Sequence, residues 1–257
     1  MKKAVYFAAT VLLCIGLLAS CYDNGQGKAD EKAIADTLVQ EIKEIPDEPA
    51  EAYPDVEIPD AEDTLWCNGY IFVSQPIPDT VKAKMQGKSM KDKARISYDQ
   101  LRYLTVYHYD FEGQIKKGKL VCNKAISRDL LCIFKALFLN AYPIHSIRLV
   151  DDFDADDEAS MQANNTSCFN YRTIAGTKIL SRHAFGMAVD INPLQNPCVR
   201  GTRIQPKTAT DYVDRSKDFP HKIDKDDYCK EVFTSFGFRW GGDWHRMKDY
   251  QHFEKRK

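Results

Sequence analysis

The chain has 257 residues, a formal net charge of −1, 44% apolar residues and 28% charged residues. The near-zero charge gives no electrostatic reason to expect a nucleic acid partner. The apolar fraction, with 13 Phe and 13 Tyr, is enough to fill a hydrophobic core. The length suits one domain with additional segments, or two small domains.

Residues 1–20 have the pattern of an export signal. A basic start, MKK, precedes the apolar run AVYFAATVLLCIGLL, and the small residues of LLASC lead up to Cys21. The ending resembles the bacterial lipobox, in which the cysteine is lipidated and becomes the mature N-terminus. No second long apolar run follows. We therefore expect an exported protein of the bacterial cell envelope that is held at a membrane by a lipid on Cys21 and does not span it.

Residues 21–63 predict a tether between that anchor and the globular part. The stretch EKAIADTLVQEIKEI allows a modest helix, and PDEPAEAYPDVEIPDAED after it has four prolines among many acids. A segment of that composition buries little apolar surface and stays extended.

Six cysteines follow Cys21: Cys67, Cys122, Cys132, Cys168, Cys198 and Cys229. An even number in an exported protein permits disulfides, and we expect at least one. Six cysteines allow 15 connectivities, so the pairing stays open. No CxxC pair is present, which gives no support to a thiolate zinc knuckle.

Residues 64–257 predict a globular α+β domain with a small, mostly antiparallel sheet. The predicted strands are YIFVS, LRYLTVYHYD, LVCNKA after the turn FEGQIKKGK, HSIRLV, FGFRW and QHFEK. The predicted helices are SRDLLCIFKALFLNAY, with Ser127 as its N-cap, and DDYCKEVFTSFGF, ended by Gly237.

The acidic run DDFDADDEAS resembles the start of a calcium loop but departs from it at two positions. Counting from Asp152, Asp157 stands at the sixth position in place of Gly, and Ala163 at the twelfth in place of Glu. We interpret the run as a solvated acidic turn.

Three residues have the chemistry of a catalytic zinc site. Such a site needs three protein ligands and an open position for water, and His183, Asp190 and His252 supply two imidazoles and a carboxylate. Gly186, between the first two, permits a tight turn that would bring them together. The spacing alone leaves open the alternative that these residues are structural.

Two further residues would complete a hydrolytic mechanism. Asp249, three residues before His252, is a candidate base for a metal-bound water, and Arg172 in NYRTIAG is a candidate to stabilise a developing oxyanion.

SRHAFGMAVDIN matches the SxHxxGxAxD motif of the VanY/VanX-like zinc D,D-peptidases, peptidase family M15. DYQH followed by FE resembles the family's second motif, and NYR resembles its upstream Tyr-Arg element. The resemblance covers about residues 103–254. It implies Zn²⁺ bound by His183, Asp190 and His252, with Asp249 as catalytic acid and base and Arg172 at the carbonyl oxygen.

The resemblance also implies the small fold of D,D-peptidases and Hedgehog-type domains, and attack of metal-bound water on an amide of a peptidoglycan stem peptide. The carboxypeptidase branches usually have Glu at the base position. Asp249 resembles the branch with L-alanyl-D-glutamate endopeptidases, and the sequence does not decide which bond is cut. One alternative is a catalytically inactive Hedgehog-like module that binds cell-wall peptide. Another is a structural zinc site, for which no fourth ligand is evident.

Three residues near the motifs have two interpretations each. Ser181 is expected either to bind substrate or to cap a turn, and Trp240 and Trp244, which flank GGD, either to line a cleft or to pack in the core.

Overall fold

The computed structural model describes residues 36, 37, 39, 40 and 63–256. The predicted signal peptide, Cys21 and most of the predicted tether lie outside the described residues. Val39, inside the predicted tether, packs partly buried against the core of the domain. Among the described residues, no helix is both long enough and apolar enough to span a bilayer.

The largest sheet has four antiparallel strands in sequence order. The strands are β1 (Asp63–Cys67), β2 (Tyr70–Gln75), β3 (Leu101–Tyr109) and β4 (Ile115–Asn123). Alternate residues of β3 are buried, as period-two side chains on a one-sided sheet require. β4 begins before the predicted LVCNKA strand, because residues 115–119, predicted as part of a turn, pair with residues 105–109 of β3. The turn itself is short, and Asp110 accepts hydrogen bonds from the backbone N–H groups of Glu112 and Gln114.

One helix forms the centre of the core and packs against β1, β2 and β3. Ten of its 13 residues are buried, so it is apolar around nearly its whole circumference. It spans Ser127–Leu139, and the residue before it, Ile126, makes no side-chain cap. The predicted N-cap role of Ser127 is wrong, because its hydroxyl donates to the carbonyl of Lys124 as the first helical residue.

The remaining elements are short and form three small sheets and three helices. Counting the central helix as α2, the helices are α1 (Asp79–Met85), α3 (Asp157–Gln162) and α4 (Tyr228–Ser235). The strands are β5 (Ser146–Ile147), β6 (Asn165–Thr166), β7 (Ala188–Asp190), β8 (Cys198–Arg200), β9 (Arg203–Gln205), β10 (Arg239–Trp240), β11 (Lys248–Asp249) and β12 (His252–Glu254).

All strand pairs except β5–β6 are antiparallel. The strand orders of the two sheets that matter below are β10-β12-β7 and β11-β8-β9. The mixture of helices and antiparallel sheets confirms the predicted α+β class.

The expected disulfide is not found in the described part of the chain, and that prediction is wrong. The six cysteines after Cys21 form no disulfide, and each except Cys198 is buried. Buried cysteines without a disulfide behave as small apolar side chains, and burial also raises the pKa of the Cys122 thiol. Export permits a disulfide, but in this domain most of the thiols are packed as apolar side chains in the interior.

Gly186 ends the 3₁₀ turn Arg182–Phe185 and starts the path into β7. Its φ of +62° is left-handed, and a β-carbon there would lie 2.6 Å from the backbone nitrogen of Asn123. That nitrogen donates to the carbonyl of Gly186, and the Asn123 side chain donates to the carbonyl of Phe185. The end of β4 therefore fixes the turn that carries His183.

Gly186→Ala is expected to destabilise the domain more than Gly113→Ala. Gly113 also has a left-handed φ, of +74°, but a β-carbon there would contact nothing beyond its chain neighbours within 4 Å. Gly113→Ala should lose about 1–2 kcal/mol through backbone strain, and Gly186→Ala should add a backbone clash to the same strain. Denaturant unfolding of both variants measures the difference, and equal losses would contradict the close approach.

Candidate metal-binding site

The pairing of β7 with β12 brings a carboxylate and an imidazole together in the interior. In this antiparallel pair the register places His252 directly opposite Asp190. His252 Nδ1 lies 2.9 Å from Asp190 Oδ1, and both side chains are buried. Residues that are 62 positions apart in the chain thus meet because one short strand pair aligns them.

His183 joins this pair from the 3₁₀ turn that precedes β7. Its Nδ1 lies 2.6 Å from the carbonyl oxygen of Cys168. A carbonyl only accepts, so Nδ1 carries the proton, and in the neutral ring Nε2 has a free lone pair. Nε2 lies 3.2 Å from Asp190 Oδ2 and 3.2 Å from His252 Nδ1.

These three side chains fit a metal ion of zinc type. Their ligand atoms all lie within 4.8 Å of one another. Two nitrogens on a tetrahedral zinc, with bonds of 2.0–2.1 Å, stand about 3.3 Å apart, close to the 3.2 Å between His183 Nε2 and His252 Nδ1. Within residues 63–256, no fourth Cys, His, Asp or Glu joins the group. A site with three protein ligands matches the catalytic class of zinc site better than the structural one.

The electrostatics of the group favour a cation at its centre. Burial favours the neutral form of Asp190, but both histidines outweigh this and hold the pKa of that carboxyl well below its ordinary value. Burial lowers the pKa of His252, whereas hydrogen bonds to Asp190 and Glu254 outweigh it and raise that pKa to about 10. A proton on His252 supplies positive charge that balances the buried carboxylate of Asp190. A metal ion bound there would supply that charge instead.

Asp249 stands beside the group on β11, and its carboxyl is in an unusual environment. Its Oδ1 is buried and has no hydrogen-bond partner among the described residues. Burial, together with the nearby Asp190, outweighs the attraction of His252 and raises the pKa of Asp249 to about 6. A partly desolvated carboxylate of this kind is a stronger base than an exposed one. Gly241 makes room for it, because a β-carbon there would lie 2.9 Å from the β-carbon of Asp249.

Arg172 lies in the wall of the same cavity, but not as an isolated cation. Its Nε is 2.8 Å from Asp157 Oδ1 in an ion pair. Asp157 belongs to the acidic run that we interpreted as a solvated turn. That interpretation is wrong for Asp157, because it begins α3, whose N-cap is Asp156, and lines the cavity. Sequence reasoning missed this partner of Arg172, since no local pattern joins two residues of opposite charge across a loop.

Of the three residues with two interpretations, two line the cavity and one does not. Ser181 and Trp244 line the cavity. The Ser181 hydroxyl also accepts from the backbone N–H of His183 as a turn cap, and the Trp244 ring lies 5.3 Å from that of His252. Trp240 does not line this cavity, which favours the core alternative over the cleft. Its ring is buried, and its Nε1 donates to the carbonyl of Tyr250.

The cavity has a volume of about 130 Å³ and contains all the ligand candidates together with Asp249 and Arg172. Its wall also includes Glu254, whose Oε2 lies 3.6 Å from His252 Nε2 and so helps to orient that ring. Three converging ligand atoms with a buried carboxylate beside them form a group that could bind a metal ion.

Comparison with known proteins gives one match. Residues 175–255 match the family model Peptidase_M15_4, described as D-alanyl-D-alanine carboxypeptidase, which supports the M15 peptidase family for this part of the chain. The matched segment includes His183, Asp190, Asp249 and His252, whereas Arg172 precedes it. No curated protein and no solved structure matched the chain.

Removing one imidazole should abolish metal binding, because two ligands are too few for a stable site. We expect about one zinc per chain in the wild type, and none in His183→Ala or His252→Ala after dialysis. His245→Ala is the matched control, since His245 is exposed and outside the group. Elemental analysis of the dialysed proteins measures the zinc, and a full equivalent in His252→Ala would contradict the assignment.

Proposed function

We propose that the chain is a zinc-dependent peptidase that hydrolyses an amide bond in peptidoglycan stem peptides. The observation that carries the proposal is the convergence of His183, Asp190 and His252 in one cavity with a buried, unpaired carboxylate oxygen of Asp249. The family match supports a peptidase and a cell-wall peptide as its substrate. The proposed fold is that of D,D-peptidases and Hedgehog-type domains.

The three buried ligands would hold the zinc. Zinc supplies Lewis acidity there, which polarises a carbonyl and lowers the pKa of a bound water towards about 7. His183 is oriented for this by the carbonyl of Cys168, and His252 by Glu254. Such outer partners fix the ring orientation and the tautomer of a ligand.

Asp249 would move the proton. Its carboxylate accepts a proton from the attacking water at the buried oxygen and returns it to the nitrogen of the leaving amine. With a pKa of about 6 it is mostly ionised at neutral pH, so it starts in the basic form. The absence of another hydrogen-bond partner for Oδ1 within the described part of the chain leaves that oxygen available.

Arg172 would face the carbonyl oxygen of the substrate. The ion pair with Asp157 uses its Nε and holds the guanidinium at the cavity wall. Arginine has further N–H donors on the same planar group, which remain for an oxygen that gains negative charge.

We also propose that residues 64–257 form the peptidase domain and that residues 21–63 tether it to a lipidated Cys21 in the cell envelope. The signal pattern that ends in LLASC supports this. Cys21→Ala should prevent processing and release the protein from membranes, measured by fractionation and by the mass of the mature N-terminus. Unchanged processing and membrane association would contradict the lipid anchor.

Asp249→Asn should separate catalysis from metal binding. The change keeps the size of the side chain and removes the proton acceptor, so turnover should fall by about 10²–10⁴-fold. Zinc content should stay at the wild-type level, since the three ligands are unchanged. The measurement is mass spectrometry of defined muropeptides incubated with zinc-loaded protein, which also identifies the bond that is cut.

Asp243→Asn is the matched control for this experiment. Asp243 is exposed and lies outside the cavity, so its variant should retain wild-type turnover. A folded, zinc-loaded Asp249→Asn protein with near wild-type turnover would remove Asp249 from the mechanism. A wild type that binds zinc and cleaves no muropeptide would favour the inactive binding module.

A further inference from the structure

Two arginines face each other on the β8–β9 hairpin beside the proposed catalytic residues. The register of the hairpin pairs Arg200 with Arg203 and, two residues further along each strand, Cys198 with Gln205. Side chains two apart on a strand point to the same face, so these four share one face of the hairpin. All four line the cavity that contains His183.

The same hairpin is joined directly to the strand of the proposed base. β8 pairs with β11, and the register places Cys198 opposite Asp249. Arg200 is two residues beyond Cys198, which is about 7 Å along the strand. The two arginines therefore stand roughly two extended peptide units from the side of the cavity where Asp249 lies.

Three of the four acids of the cavity wall have other partners, and the fourth, Asp249, is the proposed base. Asp157 pairs with Arg172, Asp190 contacts both histidines, and Glu254 lies against His252. Arg182, the remaining cavity arginine, donates to the carbonyl of Lys255. By contrast, the side chains of Arg200 and Arg203 form no hydrogen bond or ion pair with any described residue.

Like charges directly opposite on paired strands destabilise a hairpin. Neither guanidinium pairs with an acid of residues 63–256, and both side chains are exposed, so an anion can reach them and would relieve their repulsion. A planar carboxylate is the anion that suits paired guanidinium groups, because each can donate two parallel hydrogen bonds to it.

We propose that Arg200 and Arg203 form a subsite that binds a free carboxylate of the substrate peptide close to the amide that is cut. The proposal rests on the proposed peptidase function and adds the feature that selects the substrate. Two sources share this chemistry: the C-terminal carboxylate of a stem peptide and the α-carboxylate of a D-glutamate within it.

The test compares acids with amides in two peptide pairs. The first pair is an acetylated tripeptide that ends in D-Ala-D-Ala, as free acid and as C-terminal amide. The second is an acetylated L-Ala-D-Glu peptide with its α-carboxylate free or amidated. Dissociation constants by calorimetry and kcat and KM are measured on the zinc-loaded full-length domain, its Arg200→Gln and Arg203→Gln single variants and the double variant.

The wild type should bind the acid of at least one pair about 10- to 100-fold more tightly than the amide, the range expected for charge-assisted hydrogen bonds. The double variant should lose this preference, with KM raised and kcat little changed, since the contact is made equally in ground and transition states. The pair that shows the effect identifies which carboxylate is bound. Lys207→Gln, which removes an exposed cation next to β9 but outside the cavity, should keep the preference.

Equal binding of acid and amide by the wild type, or no binding of either, would overturn the subsite. A preference that persists in the folded double variant would overturn it too. If the double variant does not fold, the two single variants decide, because each should lose part of the preference. A wild type that prefers the acid through these arginines but cleaves neither peptide would retain the subsite and refute the peptidase function.

Discussion

The site depends on one buried contact, that of Asp190 with His183 and His252. Asp190 is 5% exposed and has no Lys or Arg partner within residues 63–256, so its charge is compensated only by the two imidazoles. A buried charge without a partner is costly. The group of three side chains is therefore most stable when a cation, either a proton or a metal ion, lies between them.

The rest of the fold holds this contact in place from several directions. β10 pairs with the other edge of β12, and the end of β4 fixes the turn that carries His183. β11 and the β8–β9 hairpin form a separate sheet that brings Asp249 and two arginines to the same cavity. The large sheet and its central helix contribute much of the core and no ligand candidate, whereas β7 and β12 contribute both core side chains and ligand candidates.

Local sequence patterns predicted β2, β3, part of β4, the central helix and α4. A motif of fixed spacing also keeps His183, Gly186 and Asp190 within one turn and strand, so the group that could bind a metal ion was visible in the sequence. Local patterns could not predict contacts between residues that are far apart in the sequence. The ion pair of Asp157 with Arg172 and the register of Cys198 opposite Asp249 depend on how separate segments meet. The expected disulfide failed for a related reason, since the count of cysteines does not tell whether their sulfur atoms approach one another in the core.

Anomalous diffraction at the zinc edge from crystals of zinc-loaded protein tests the central claim most directly. The account predicts one strong peak within bonding distance of His183 Nε2, His252 Nδ1 and an Asp190 oxygen, with no fourth protein ligand. Asp249 should lie near the metal without coordinating it. A peak elsewhere, or a fourth protein ligand that closes the coordination sphere, would contradict a catalytic zinc site.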